Sequence, residues 1–423
     1  MRRAVALWVI LAVAVCVKIV WRGGDRLVYP VFAASSHHWW ADRPLYAPYG
    51  PTEVIDSFRY APTFAVAFTP LAYLPDRLGA IVWSLAGIGL LFWALQALMR
   101  DVLPPPSVEE KGWSPWHQRM FLTLTLGGSA VGIWSGQSNA LVLALIALGL
   151  AAIARQRWGT ASFLLAVPVL IKLWPLAIVL LLIVYWPRQL TWRLAVVCAV
   201  LALIPFLTRH ASIVAWQYHG WYESLTGPLQ ARNDGYRDAW TFWEQLCPLV
   251  HCRANWEGTV SRVVYTTIQL AAALAVLGWC LWQFPRRRVD RQERPACNEG
   301  DSTSDTNRRL LTLIFATWAA WQLLFGPATE QLTYGIIAPA AAWAVLVSFA
   351  EKKARWLTLA AWTLLALMPS GDIERAVLRV FPAGKILLPF GVVLFVVWLA
   401  WHEHAASNRD CGTRLPSPIQ TLP

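Results

Sequence analysis

The sequence predicts an all-α polytopic membrane protein of about twelve transmembrane helices, and three observations predict it. Its 423 residues are 57% hydrophobic and only 14% charged, against about a quarter charged in an ordinary soluble domain. Apolar runs near the ~20 residues that a helix needs to cross hydrocarbon recur along almost the whole length. The arginines and lysines of the short connections gather in every second connection, the pattern that orients a chain in a bilayer.

The apolar runs occupy residues 4–20, 78–99, 119–134, 139–154, 160–171, 173–186, 194–207, 263–284, 310–325, 332–350, 356–368 and 386–401. The first follows Arg2 and Arg3 like a signal peptide, yet Val20-Trp21-Arg22 offers no small-residue cleavage pattern, so it reads as an uncleaved anchor. Runs 160–171 and 173–186 are short for a crossing. Their ends must lie near water or be shielded by neighbouring helices, which makes their junction a functional or interfacial place. Residues 61–75 are apolar but carry Pro62, Pro70 and Pro75. They form either a re-entrant or interface-lying piece or the first half of a long, broken helix.

Arg155 and Arg157, Arg188 and Arg193, Arg286, Arg287, Arg288 and Arg291, then Lys352, Lys353 and Arg355 mark one side, which the positive-inside rule makes cytoplasmic. Connections 21–60, 135–138, 172–175, 208–262, 326–331 and 369–385 then face outward, in a bacterium the periplasm. Alternation closes if 61–75 is not a crossing. The expectation is a multi-pass protein of the inner (plasma) membrane with both termini cytoplasmic. Residues 1–402 form one integral-membrane domain, with outward loops 21–60 and 208–262 and a cytoplasmic linker at 285–309; residues 403–423 read as a disordered cytoplasmic tail.

The formal charge of +12 is dispersed between the spans. It suits loops that meet anionic lipid and leaves no soluble basic domain for nucleic acid, which is excluded as a partner. Dinucleotide, P-loop and nucleophile-elbow patterns are missing, as are repeats of fixed period. The 27 Trp residues fit interface belts; Trp39, Trp40, Trp216, Trp221, Trp240 and Trp243, in outward loops, have sugar stacking as a second use. Of seven cysteines, Cys247 and Cys252 alone share the large outward loop, as a disulfide or as two thiols. No ligand set has metal spacing, so no metal is expected.

The polar motifs collect on the outward side. Asp25, in Gly23-Gly24-Asp25-Arg26-Leu27-Val28-Tyr29, stands where a lipid head group lies. It serves either as a general base or as the cap of a short amphipathic helix over 27–40. Arg59 and Tyr60 precede the proline-punctuated segment, and Arg59 either grips a phosphate bidentately or pairs with a nearby carboxylate among Asp42, Glu53 and Asp56. In Gly136-Gln137-Ser138-Asn139, Gln137 and Asn139 offer paired donors and acceptors to sugar hydroxyls or a phosphate oxygen; the plainer reading is a hairpin turn with Asn139 as a cap. Lys172, between the two short spans, is a costly charge near membrane depth, placed to neutralise a lipid-linked phosphate or to snorkel to the interface. Arg232 and Asn233 lie in the large loop. Glu330 and Gln331 lead into the 332–350 run, with Glu330 orienting an acceptor, replacing Asp25 as the base, or capping the following helix.

Four stretches together resemble the membrane enzymes of glycosyltransferase family 87: the Asp25–Tyr29 loop, Arg59-Tyr60-Ala61-Pro62 running into Thr69-Pro70-Leu71-Ala72-Tyr73-Leu74-Pro75, Gly136-Gln137-Ser138-Asn139, and Ile171-Lys172-Leu173-Trp174-Pro175. The resemblance covers roughly residues 20–345. It departs at Arg232-Asn233-Asp234-Gly235 and Thr329-Glu330-Gln331, where that family often shows Asn-Gln-Ser and a His pair, so donor and acceptor can differ from those of mannose-specific members. It implies a C-type glycosyltransferase fold and inverting transfer of a hexose, with mannose the usual sugar, from a polyprenyl-phosphate donor to a glycan or glycolipid acceptor. It also implies Asp25 as the base, Lys172 with Arg59 or Arg232 on the phosphate, and no cofactor. A transporter or flippase of lipid-linked substrates is the alternative, but it calls for midplane polar groups and inverted repeats.

Overall fold

The computed structural model describes residues 2–23, 27–46, 58–107, 112–226, 259–292, 299–327, 329–381 and 383–412. Among them all regular structure is helical, the form that satisfies backbone groups inside lipid without a partner strand. In chain order the helices are α1 (Arg2–Arg22), α2 (Tyr29–Trp40), α3 (Pro62–Ala72), α4 (Asp76–Asp101), α5 (Pro115–Trp134), α6 (Asn139–Ala154), α7 (Trp158–Ile171), α8 (Leu176–Tyr185), α9 (Pro187–Leu203) and α10 (Ala211–Thr226). There follow α11 (Thr259–Gln292), α12 (Glu299–Leu324), a 3-10 segment (Gln331–Ile337), α13 (Ala338–Ala350), α14 (Arg355–Leu367), α15 (Gly371–Val380) and α16 (Leu387–Gly412).

Among the described residues six helical stretches are long and apolar enough to cross a membrane, and α3, α6, α7, α8 and α14 are shorter apolar helices. The chain is therefore a multi-pass membrane protein. Packing sorts the helices into centre and rim: the span Gln331–Ala350 is 83% buried, whereas Pro187–Leu207 is 17% buried. Apolar residues face outward from α1 (Val9, Ile10, Val13, Val17) and α9 (Trp192, Val196, Val200), as lipid-facing sides do, since lipid tails solvate them as well as a core would. In α6 every residue after Asn139 is apolar or glycine and burial extends all round the helix, flanked by α4, α5, α7, α12 and the 3-10 segment.

The chain alternates between two ends. At one, Arg155 bridges Asp101 at 2.6 Å, Thr312 Oγ1 donates to the Val102 carbonyl at 2.9 Å, Trp343 Nε1 to Pro104 at 3.1 Å and Arg308 to the Arg100 carbonyl. At the other, Trp83 Nε1 donates to the Gly136 carbonyl at 2.9 Å and Lys18 Nζ to Trp134 at 2.8 Å. Thus α4 and α6 run parallel and α5 runs against them. The basic connections that contain Arg155 and Arg308 share the end opposite the polar turn at 135–139.

Residues 61–75 form α3 and then a break at Tyr73-Leu74-Pro75 before α4. Pro62 occupies the first turn of α3 and Pro75 caps α4, positions where a missing N–H costs nothing. Eleven helical residues span about 16 Å, half the hydrocarbon thickness, so α3 is no crossing by itself. It pairs with α2, which starts near the residues expected from sequence. Ser36 Oγ donates to the Ala65 carbonyl at 2.7 Å, Trp40 Nε1 to Thr69 Oγ1 at 2.9 Å and Tyr29 Oη to the Leu71 carbonyl at 2.8 Å. Burial, and secondly the Asp76 carboxylate, push the Tyr29 phenol up from its ordinary pKa, which keeps it a neutral donor. Phe32 is fully buried and meets the rings of Tyr60, Phe64, Phe68 and Trp83 at 5.1, 5.1, 5.3 and 5.4 Å.

Helix extends into both of the stretches expected to be a linker and a tail. The 285–309 stretch is mostly helical, because α11 continues through Gln292 and α12 begins at Glu299; residues 293–298 lie outside the described residues. The tail is helical from 403 through Gly412, within α16. Both stretches hold Glu, Arg and Ala, good helix formers that extend a helix already nucleated by an apolar span. Residues 413–423 lie outside the described residues.

Truncating Phe32 to Ala removes the ring that joins α2, α3 and α4. The expected loss is about 3–5 kcal/mol of stability, read as a lowered midpoint in thermal unfolding followed by fluorescence-detected size exclusion. An unchanged midpoint would contradict this packing.

Candidate active site

The site builds up from the turn between α5 and α6. Gly136 takes the left-handed φ of +66°, which glycine adopts without steric cost. The turn is held by Trp83 on the Gly136 carbonyl, already described, and by the Val28 N–H on the Ser135 carbonyl at 3.2 Å. Ser138 is the N-cap of α6 and Asn139 its first residue. Both are buried, so their side chains need partners. Ser138 Oγ donates to Tyr60 Oη at 3.3 Å, and Asn139 Nδ2 donates to the Leu332 carbonyl at 3.1 Å.

Lys172 completes the pairing. Pro168 lies in the last turn of α7 and Pro175 caps α8, so the chain between them leaves the helix and Lys172 is extended (φ −139°, ψ 139°). Its Nζ donates to Asn139 Oδ1 at 2.7 Å and lies 5.8 Å from the centre of the Tyr60 ring. A hydrogen bond from an ammonium contributes roughly 1.5–3 kcal/mol, and the ring about 0.5–1 kcal/mol more. Backbone contact joins the same strip of chain, since the Ala61 N–H donates to the Leu170 carbonyl at 3.3 Å. Tyr46 Oη donates to the Tyr60 carbonyl at 2.7 Å. Three stretches read from sequence as polar motifs, at 59–61, 136–139 and 170–172, therefore meet each other and the 3-10 segment.

Arg59 Nη1 contacts Glu330 Oε1 at 3.2 Å, with side chains 24% and 27% exposed. Of the alternatives for Arg59, an ion pair is present, here with Glu330; Glu53 and Asp56 lie outside the described residues. Glu330 also caps the 3-10 segment in a reciprocal capping box with Thr333. Gln331 points elsewhere: its Nε2 donates to the Met368 carbonyl at 3.0 Å and to Glu374 Oε2 at 3.1 Å. Gln137 is half-buried and lines a crevice with Trp83, Ser84, Ala140 and Leu141 that has room for no more than a single water. Asp25, Arg232, Asn233, Cys247 and Cys252 lie outside the described residues. A larger groove, about 680 Å³, follows α1 past Val9, Val13, Val17 and Leu85; it is apolar and shares no side chain with the polar cluster.

Sequence reading missed three participants. Lys18, one turn before the end of α1, donates to the Trp134 carbonyl and lies 4.9 Å from the Trp134 ring centre. Its signal was present as a lone charge inside an apolar run. Tyr46 carried no comparable signal. Leu332 contributes only a backbone carbonyl, which no side-chain pattern reveals.

Among the described residues the arrangement combines two cations, Lys172 and Arg59, with a neutral amide, a phenol and one carboxylate at one end of an apolar bundle. Such a set has the chemistry to meet an anionic head group, with groups able to bond hydroxyls beside it. A family model described as glycosyltransferase family 87 matches residues 58–298. That stretch contains Arg59, Tyr60, Gln137, Asn139, Lys172, Arg232 and Asn233 but neither Asp25 nor Glu330. No curated protein matches the chain.

Because the Arg59–Glu330 pair is about a quarter exposed on each side, water screens it. A double-mutant cycle with Arg59→Ala and Glu330→Ala, read by thermal unfolding, should give a coupling of roughly 0.2–1 kcal/mol that shrinks in molar salt. Coupling of several kcal/mol, unaffected by salt, would mean a far drier site.

Proposed function

The chain belongs to glycosyltransferase family 87, and from that premise we propose that this membrane glycosyltransferase moves a hexose, mannose first among those to test, from a polyprenyl-phosphate carrier to a glycan or glycolipid acceptor. The observation that carries this reading is the Lys172–Asn139–Tyr60 cluster with Arg59 beside it. A cation held at the mouth of an apolar bundle suits a phosphate whose hydrocarbon tail remains in lipid. With the six long stretches, α5, α6, α7, α8, α12 and α14 make about twelve crossings. By the positive-inside rule the site faces the periplasm or exterior and both termini are cytoplasmic.

Transfer is inverting in this reading. The acceptor hydroxyl oxygen attacks the anomeric carbon, the bond from that carbon to the phosphate oxygen breaks, and the polyprenyl phosphate leaves with the electron pair. Asp25 takes the hydroxyl proton. The described flanks of Asp25 support this role, because Lys18 before it and Val28 after it both bond to the carboxyl end of α5. Lys172, with Arg59 or Arg232, offsets the charge that grows on the phosphate. Asn139 serves by aiming Lys172, and Glu330 by orienting Arg59; Gln137, Tyr60 and Asn233 remain for sugar and phosphate oxygens. No metal or cofactor enters.

The test is purified protein in nanodiscs with a panel of polyprenyl-phosphate sugars, followed by mass spectrometry of donor and acceptor. Lys172→Ala should lower kcat by about 10²–10³-fold, the usual cost of losing one charge-stabilising donor, with partial recovery in Lys172→Arg. Asp25→Asn should abolish transfer without loss of expression. Full transfer by Asp25→Asn would move the base to Glu330 or another outward carboxylate, and turnover with nucleotide sugars alone would overturn the lipid-linked donor.

A further inference from the structure

α15 is the one described helix with a strong division of faces and no buried residue. Its ten residues, Gly-Asp-Ile-Glu-Arg-Ala-Val-Leu-Arg-Val, carry three kinds of side. Ile373, Ala376 and Val380 recur at spacings of three and four, so they line one stripe. Val380 is 88% exposed and Ile373 37%. Glu374, Val377 and Leu378 form a second side, turned to the protein: Glu374 accepts from Gln331 Nε2 at 3.1 Å, and Val377 and Leu378 pack on the turn at Gly384. A β-carbon there would come within 2.7 Å of Val377 Cγ1, so glycine is what lets the helix lie so close. Asp372, Arg375 and Arg379 form the third side; Arg375 and Asp372 pair at 2.5 Å, both well exposed.

The position of α15 says what covers the open apolar stripe. It begins within a few residues of the last residue of α14 and ends shortly before α16, and α16 belongs to a membrane-crossing stretch. The Gln331 bonds to Met368 and Glu374 fix it at the end of the bundle that carries the candidate site. A short helix between two apolar helices, with one side on protein and one charged side, presents its remaining side to the boundary between lipid head groups and acyl chains. Acidic residues in its first turn and Arg379 in its last suit the helix dipole there.

We infer that α15 is a membrane-surface helix whose Ile373, Ala376 and Val380 stripe docks on the phospholipid interface, with Glu374 on its protein side bonded to Gln331. Nothing in this inference depends on the sugar or its carrier, so its failure leaves the transfer reading intact.

The experiment places dansylalanine at position 380, and separately at 375, by codon suppression in the full-length protein reconstituted in phosphatidylcholine nanodiscs. Emission from Val380→dansylalanine should be quenched at least ~2-fold more by phospholipid with a doxyl group near the glycerol than by iodide, and Arg375→dansylalanine should show the reverse order. Quenching of position 380 mainly by iodide would overturn the inference, as would protection from both quenchers, which would mean that protein covers the stripe. A second measurement needs no substitution: a phospholipid with a diazirine near its ester carbonyl is photolysed with the native chain. Adducts on Ile373, Ala376 or Val380 are expected; adducts on α14 and α16 with none on α15 would reject the membrane seat.

Discussion

An amide side chain between an ammonium and a carbonyl holds the candidate site together. Asn139 stands at the first position of α6, a helix otherwise made of hydrocarbon, and both ends of its amide are engaged. The carbonyl oxygen receives Lys172 and the amino group reaches Leu332. Asn139 is buried, so each of its polar groups must find its partner within the chain. That requirement brings together α6, the junction between α7 and α8, and the 3-10 segment, and it sets the depth at which a positive charge sits. The Arg59–Glu330 pair and the Tyr60 ring add to an arrangement that the Asn139 amide has already oriented.

Several residues that look like ligands for a substrate are supports in the structure. Gln331 follows Glu330 directly, yet the two point apart, as neighbours in a tight helical turn do. One reaches Arg59 and the other reaches Met368 and Glu374. Glu330 spends part of its bonding on a capping box. A polar group that rigidifies its own backbone is still relevant to chemistry, because it sets the geometry of the charges that touch substrate.

Much of this was legible from the sequence. Hydropathy alone located the long helices, since an apolar stretch in lipid has few alternatives to helix. The proline spacing around 61–75 was read as a broken helix or surface piece, and the chain does break at Tyr73–Pro75. Lys172 was singled out because charge is expensive at its depth. Its partner was harder to see: Asn139 lies 33 positions earlier and was read as a ligand or a cap, since nothing local distinguishes an amide aimed at substrate from one aimed at a lysine. The Leu332 carbonyl was beyond reach for a simpler reason, that every residue has one. The helical extensions of α11 and α16 show the opposite limit, where charged composition spoke for loop and tail while the adjoining apolar helix had already met the cost of nucleation.

The enclosure of α6 has a mechanical side. A rod gripped around its full circumference cannot slide or swivel without separating several interfaces at once, and close packing makes such shear expensive. The loosely held helices, α1, α9 and α11, stand at the circumference with their flanks in lipid. A bulky hydrocarbon arriving sideways from the bilayer would meet that loosely packed rim before the enclosed α6, to whose Asn139 the Lys172 charge is bonded.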